Sequence, residues 1–415
     1  MGKSILKKRK REAPIRNLYA GWCPQRGGKQ WLERINAECI TARQFYHRYV
    51  KRRMPVILTS SNTGCLKGFS VRALAGIAGD CIVAVEKGDP DSFQPFGRTD
   101  AGSRMKMSFG EFLTRMRDEE LYCSTQAVPE DRRGPTKVTA AHVQRLVDRG
   151  MIPEVLPLMG NLHLHQINAW IGCSEDGSSS GFHHDFHDNF YLLISGEKQF
   201  RLSSPNFTEA RPTFGCQRSK EVVVHKNGLI SYAGSSVRED GAMVTDVLKW
   251  KISKNPDNLE ELREELEERL LDEMIDQSEL GRVSKDPVTD PASFCVESTA
   301  QGEFICETIK AGEMLYLPAS FYHEVISFNT ESEGHNFAVN YWYYPPHSNG
   351  SFEQPYEDDY WKERWERLLK TQAGQVRLNR DRMRKHKLPL QFQYSHSEML
   401  RFVKRVENSK QKLNS

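Results

Sequence analysis

No uninterrupted apolar stretch approaches the ~18–20 residues that a membrane-crossing helix needs. The first residues are basic where a secretory leader would carry an apolar core. Both features predict a soluble, intracellular chain. CxxC pairs are also missing: the nine cysteines stand singly at 23, 39, 65, 81, 123, 173, 216, 295 and 306. Zinc-ribbon and dithiol redox sites are therefore disfavoured, and the odd count and wide spacing fit reduced thiols. A strong charge of either sign is lacking too, since 58 Lys and Arg face 55 Asp and Glu, leaving +3 with His neutral. That excludes a wholly basic nucleic-acid coat but not local basic patches. Position 6 is Leu6, so Met1-Gly2 does not open a myristoylation motif. No internal repeat is visible. What remains is a globular composition, with 38% hydrophobic, 27% charged and 10% aromatic residues in 415, enough for one large domain or two ordinary ones.

Residues 1–17 read as a basic tail. Lys7-Lys8-Arg9-Lys10-Arg11 fits a solvated tail and a nuclear localisation signal equally well, so the nucleus is the expected location, with the cytoplasm as a second one. Residues 18–160 mix helices and strands. Pro55 to Thr59 reads as a buried strand, and Leu121 to Cys123 as another. Ser108, with Glu111 three positions on, reads as the N-cap of a helix. From 161 to 345 the pattern turns to short strands punctuated by glycine turns, the mark of a sandwich or barrel. His163 to Gly172, Phe190 to Ile194 and Lys198 to Leu202 are the first of these strands, with turns at Ser178–Gly181 and Ser195-Gly196. Phe304 to Cys306, Met314 to Pro318 and Phe337 to Trp342 follow after an insertion at about 206–300. Within it, Leu259, Leu262, Leu266 and Leu270 recur at helical spacing, which predicts an amphipathic helix laid on the core. Residues 346–415 read as helical and basic. Trp361, Trp365, Leu368 and Leu369 share a helical face. Most such stripes pack on their own domain, and a homodimer interface is the sharper alternative. Arg377, Arg380, Arg382, Arg384, Lys385 and Lys387 form a solvated face or, alternatively, a contact for phosphate or an acidic partner.

The chemistry concentrates in Gly181-Phe182-His183-His184-Asp185-Phe186-His187-Asp188-Asn189-Phe190. On an extended strand His183 and Asp185 point to the same side, where an imidazole and a carboxylate can hold neighbouring positions on one metal. A third ligand must come from elsewhere, and His323, after a strand, Pro318 and a turn, is the best candidate. Two His and one carboxylate on one face form the facial triad of non-haem Fe(II) oxygenases, with three positions open. Two can take the keto-acid end of 2-oxoglutarate and one O₂. The far carboxylate then needs a cation, which Lys198 on the next strand can supply. His396-x-Glu398 is a chance match, lacking a strand and a partner histidine. His184 and His187 are expected to face out or hydrogen-bond locally, and His163 and His165 to be satisfied barrel histidines.

With these motifs in view, the sequence resembles the JmjC-domain oxygenases, cupin-like Fe(II)/2-oxoglutarate enzymes. It is most similar to the compact hydroxylase group that includes factor-inhibiting HIF. The markers run from Pro55-Val56-Ile57-Leu58 through Ile167 to Gly172, His183-x-Asp185, Asn189-Phe190, Gly196-x-Lys198 and Gly312 to His323, ending at Ala338-Val339-Asn340-Tyr341-Trp342. The resemblance implies a double-stranded β-helix (jelly roll) with an α/β N-terminal extension and a helical C-terminal segment. It implies iron on His183, Asp185 and His323, and the cosubstrate's distal carboxylate on Lys198. Ser180 and Tyr122 would also reach that carboxylate, while Asn189 and Asn340 would line the cosubstrate pocket. The implied activity is O₂-dependent hydroxylation of a protein or peptide side chain, with histone lysine or arginine demethylation and tRNA hydroxylation as alternatives. The absence of a chromatin-reading Cys/His cluster favours hydroxylation, though a chromatin-associated substrate fits as well. Nucleic acid could be met through the basic tails, and no membrane is expected. An inactive cupin-like nuclear scaffold is the competing class, which would predict a broken triad. The 206–300 insertion exceeds what compact members need and is expected to rim the open end of the barrel.

Overall fold

Apolar residues alternate between two cores, and that alternation defines the layers. The structure, a computed structural model, describes residues 15–24, 31–60, 66–87, 104–128, 138–181, 183–206, 222–232, 237–254, 259–280, 304–329 and 334–364. The extension contributes β1 (Ile15–Asn17), β2 (Arg34–Asn36), α1 (Ala42–Phe45), β3 (Val56–Thr59), α2 (Val71–Ala78) and β4 (Ile82–Lys87). It continues with β5 (Met105–Ser108), α3 (Phe109–Arg115), β6 (Leu121–Cys123) and α4 (Ala141–Asp148). The barrel strands begin with β7 (Leu164–Gly172), β8 (Ser178–Ser179), β9 (His183–His184), β10 (Asp188–Ser195) and β11 (Glu197–Ser203). The insertion holds β12 (Val222–Val224), β13 (Ile230–Tyr232), α5 (Val244–Lys254) and α6 (Leu259–Leu280). The barrel closes with β14 (Ile305–Lys310), β15 (Met314–Leu317), β16 (Tyr322–Phe328) and β17 (Asn336–Tyr343).

A nine-stranded sheet runs β2-β3-β15-β10-β17-β7-β6-β4-β5, and a smaller one runs β14-β11-β16-β8 with β9 on β16. Along β10, Phe190, Leu192 and Ile194 face outward into a core shared with Phe45, Leu74, Phe109, Phe112 and Leu146 of the helical layer. Tyr191 and Leu193 face inward, toward Phe200, Leu202, Ile305 and Ile309 of the smaller sheet. Each fully buried side chain of this kind is worth roughly 1.5–3 kcal/mol. Helices, large sheet and small sheet thus stack in three layers, with the jelly roll closed between the sheets. At the β10–β11 turn Gly196 has φ +84°, and a Cβ there would come within 2.6 Å of the Phe328 carbonyl oxygen. Only glycine fits both demands.

Ser108 caps α3 as expected, accepting from the Glu111 amide. Several expectations shift. Ser178 and Ser179 form a strand on Ile326 and Ser327 rather than a turn, because β16 offers them a free ladder edge. Ile15 to Asn17 pair in parallel with Val222 to Val224, so the chain is already structured inside the expected tail. The helix from Leu259 packs against α5, with Leu262, Leu266 and Leu270 half-buried. Trp361 is buried in its own chain, stacked on Tyr344 at 3.8 Å and edge-on to His163 at 5.0 Å. Trp365, Leu368, Leu369, Lys7 to Arg11, the basic run from Arg377 to Lys387, and His396 with Glu398 lie outside the described residues. No helix among the described residues is long and apolar enough to cross a membrane.

Candidate metal centre

The β9–β16 ladder places His183 directly opposite His323. Asp185 follows β9, and its carbonyl accepts from the Ser320 amide at 2.7 Å, which holds the two arms together. Ligand atoms of His183, Asp185 and His323 all lie within 4.8 Å of one another. The imidazole rings sit 4.3 Å apart, and His323 Nε2 is 3.7 Å from an Asp185 carboxylate oxygen. His183 Nδ1 meets the Gly181 carbonyl at 2.8 Å, and His323 Nδ1 meets that of Phe321 at 3.0 Å. A carbonyl can only accept, so each Nδ1 carries a proton, and Nε2 is the ring atom left to serve as a metal ligand. Burial pushes the His323 pKa down to about 4, so this ring is neutral at ordinary pH. Two imidazoles whose Nδ1 atoms are held by backbone carbonyls, beside one carboxylate, form a donor set that fits a divalent transition metal with open positions.

Deeper in the same cavity lies Lys198, 1% exposed. Alternation on β11 turns Lys198, Phe200 and Leu202 inward. Its ammonium donates to Ser327 Oγ at 2.8 Å and to Tyr122 OH at 3.4 Å. It also lies 5.8 and 5.9 Å from the ring centroids of Tyr122 and Tyr191. No carboxylate pairs with it among the described residues, and burial alone lowers its pKa to about 7. A buried cation without an anion is costly. One facing the same cavity as a three-donor cluster fits a carboxylate-bearing ligand that spans the two.

Tyr122, Ser180, Asn189, Asn340 and Lys198 all line this cavity with the three clustered residues. Their roles divide. The Ser180 hydroxyl accepts from the Val325 amide at 3.0 Å and donates to the Gly181 carbonyl at 3.1 Å, so it serves the backbone rather than Lys198. Ser327 is the serine that bonds Lys198, and both serines line the cavity. The signal for Ser327 was available: His323, Val325 and Ser327 alternate on β16, and all three line the cavity. Trp170 was also missed as a site residue. Its indole can only donate, and it donates to Asn340 Oδ1 at 3.0 Å. Asn340 Nδ2 therefore faces Asn189 Oδ1, at 3.0 Å, and the Asn189 Nδ2 is left for the cavity.

His184 and His187 are half-buried, and His184 bonds locally to the Asp185 backbone. His184 packs edge-on to Phe186 and Tyr322, and burial lowers its pKa to about 4. His187 stacks on His165 at 4.2 Å and near Trp342 at 5.6 Å. His163 and His165 are satisfied as expected, through the Leu164 carbonyl at 2.8 Å and the Tyr344 hydroxyl at 3.0 Å. From the insertion, the Ile230 amide donates to Ser320 Oγ at 2.9 Å, so β13 rests on the turn that leads to His323.

A cupin-like domain family matches residues 42–349. JmjC domain-containing protein 4 of Schizosaccharomyces pombe is similar at 31% identity over a 437-residue alignment, covering 82% of this chain and 90% of that protein. Lysine-specific demethylase JMJ32 of Arabidopsis thaliana is 30% identical over 186 residues, 43% of this chain and 41% of its own. The human bifunctional peptidase and (3S)-lysyl hydroxylase JMJD7 is 28% identical over 179 residues, again 43% and 41% of the two chains.

Proposed function

Because the chain belongs to the cupin-like JmjC-domain family, an oxygenase family of the 2-oxoglutarate type, we propose that it hydroxylates a C–H bond of a protein side chain. The reaction consumes 2-oxoglutarate and O₂ and yields succinate, CO₂ and the hydroxylated product; one oxygen atom enters succinate and the other the substrate. The observation that carries this reading is a three-donor cluster sharing one cavity with a buried ammonium that no carboxylate pairs among the described residues.

His183, Asp185 and His323 would hold Fe(II), which when bound supplies the O₂ chemistry. The Nδ1 bonds to Gly181 and Phe321 keep both imidazoles aimed at it. Lys198 receives the distal carboxylate, with Ser327 and Tyr122 holding the ammonium in place, so the cosubstrate is oriented before reaction. Asn189, fixed by the Trp170–Asn340 relay, offers an N–H to the cosubstrate's metal-proximal end. Tyr191, Phe200 and Val325 keep the cavity wall apolar and limit water.

A lysine side chain is the substrate group we favour, since the names of the plant and human relatives share it. Demethylation of an N-methyl lysine is the second reading, favoured by the plant relative's name. The test is succinate release from 2-oxoglutarate with Fe(II) and a panel of lysine peptides, with and without N-methylation, read by mass spectrometry. An added oxygen marks hydroxylation and a lost methyl marks demethylation. Asp185→Ala is expected to stay folded and release no succinate above background. Wild-type protein that never consumes 2-oxoglutarate, even with cell-extract peptides, would move the case to a binding scaffold.

A further inference from the structure

We infer that Asp188 and Arg53 are positioning residues that set the convergence of the metal ligands from outside the cavity. The inference rests on reading the cluster as a metal site. Asp188 is 0% exposed and stands three residues after Asp185, at the start of β10. Its carboxylate accepts the Ala319 amide at 2.9 Å and the Tyr316 hydroxyl at 2.8 Å. Arg53 closes on both of its oxygens in a bidentate pair, one bond of 2.9 Å and a second, shorter one. Ala319 lies in the turn between β15 and β16, four residues before His323. One carboxylate therefore joins the segment that carries Asp185 to the segment that carries His323.

Two backbone features show that this junction is held against local preference. Arg53 has φ +55° and Ser320 has φ +61°, and neither is glycine. Such conformations cost on the order of 1–3 kcal/mol each and persist when the surroundings impose them. Ser320 in turn bonds the Asp185 carbonyl through its amide and the Ile230 amide through its hydroxyl. A buried ion pair adds little stability over an apolar pair of the same volume. What it adds here is direction: Arg53 fixes both carboxylate oxygens, and the carboxylate fixes the turn.

The test is Co(II) binding to the metal-free full-length chain, read by calorimetry and by the visible absorption of the bound ion. Wild type, Asp188→Asn and the double variant Arg53→Met/Asp188→Asn are compared, with melting temperature alongside. The double variant removes both charges, so no unpaired ion is left buried. Loss of a partner that orients a ligand typically weakens metal binding by about 10–100-fold. We expect a weakening of that size in the folded variants, with an altered absorption band. A lower melting temperature with unchanged Co(II) affinity and spectrum would mean a merely structural role and would overturn the inference. Should both variants fail to fold, Tyr316→Phe, which removes only a hydroxyl, decides by the same readouts with a threefold threshold. If wild type itself binds no Co(II), or binds it equally after His183→Ala, the metal-site reading fails first, and the two failures stay distinct.

Discussion

Replacing Lys198 with Met should make the ligand-free protein more stable while destroying its response to cosubstrate. Met matches the lysine stem in length and removes the charged, hydrogen-bonding end. The Lys198 pKa falls from 10.5 to about 7 through burial. At 1.36 kcal/mol per pKa unit, that corresponds to a burial cost on the order of 5 kcal/mol, an upper figure. Losing the Ser327 hydrogen bond gives back about 1 kcal/mol. The sign follows from linkage. Below pH 7 both folded and unfolded chains carry the proton, so the full penalty is present. Between about 7 and 10.5 the unfolded chain holds more protons than the folded one, so wild-type stability rises with pH. The advantage of Lys198→Met should therefore be greatest at pH 6 and fade toward pH 10. Urea unfolding at pH 6, 8 and 10 measures it. Added 2-oxoglutarate at 100 times its dissociation constant should stabilise wild type by about 2.7 kcal/mol and leave the variant unchanged. Equal or lower stability of the variant at pH 6, or equal ligand gains in both proteins, would refute the reasoning.

Ser327→Ala removes the shortest bond to the Lys198 ammonium; the KM for 2-oxoglutarate should rise about tenfold, since bonds to charged groups are worth about 1.5–3 kcal/mol, and steady-state succinate assays will show it. Ser108→Ala deletes the α3 cap and should cost about 1 kcal/mol in urea unfolding with turnover unchanged. Deleting Lys7 to Arg11 should reduce nuclear accumulation of a tagged protein, and an unchanged distribution would dispose of the localisation reading.

How much of this was legible in the sequence depends on the reach of each signal. His183 and Asp185 were readable because two-residue spacing on a strand is a local rule. His323 was readable because a strand, a proline and a turn set it on a new edge. Lys198 followed from the glycine turn before it. The inward alternation on β16 also announced Ser327, but serine has no strong chemistry of its own and was passed over. The Ser178–Ser179 strand was hidden by a composition that favours turns; its pairing comes from β16, far along the chain. The His165–His187 stack is equally non-local. Arg53 and Asp188 lie 135 positions apart and share no pattern, so only the folded structure brings them together. Short strands with glycine turns announced a sandwich or barrel, whereas the run of β6, β4 and β5 onto the large sheet had no local signal.

The most direct measurement is a crystal structure prepared without oxygen in the presence of Fe(II) and 2-oxoglutarate. One metal ion should sit among His183 Nε2, His323 Nε2 and the Asp185 carboxylate, with the cosubstrate's distal carboxylate on the Lys198 ammonium. A metal bound by other residues, or a cosubstrate whose distal carboxylate lies away from Lys198, would contradict the account.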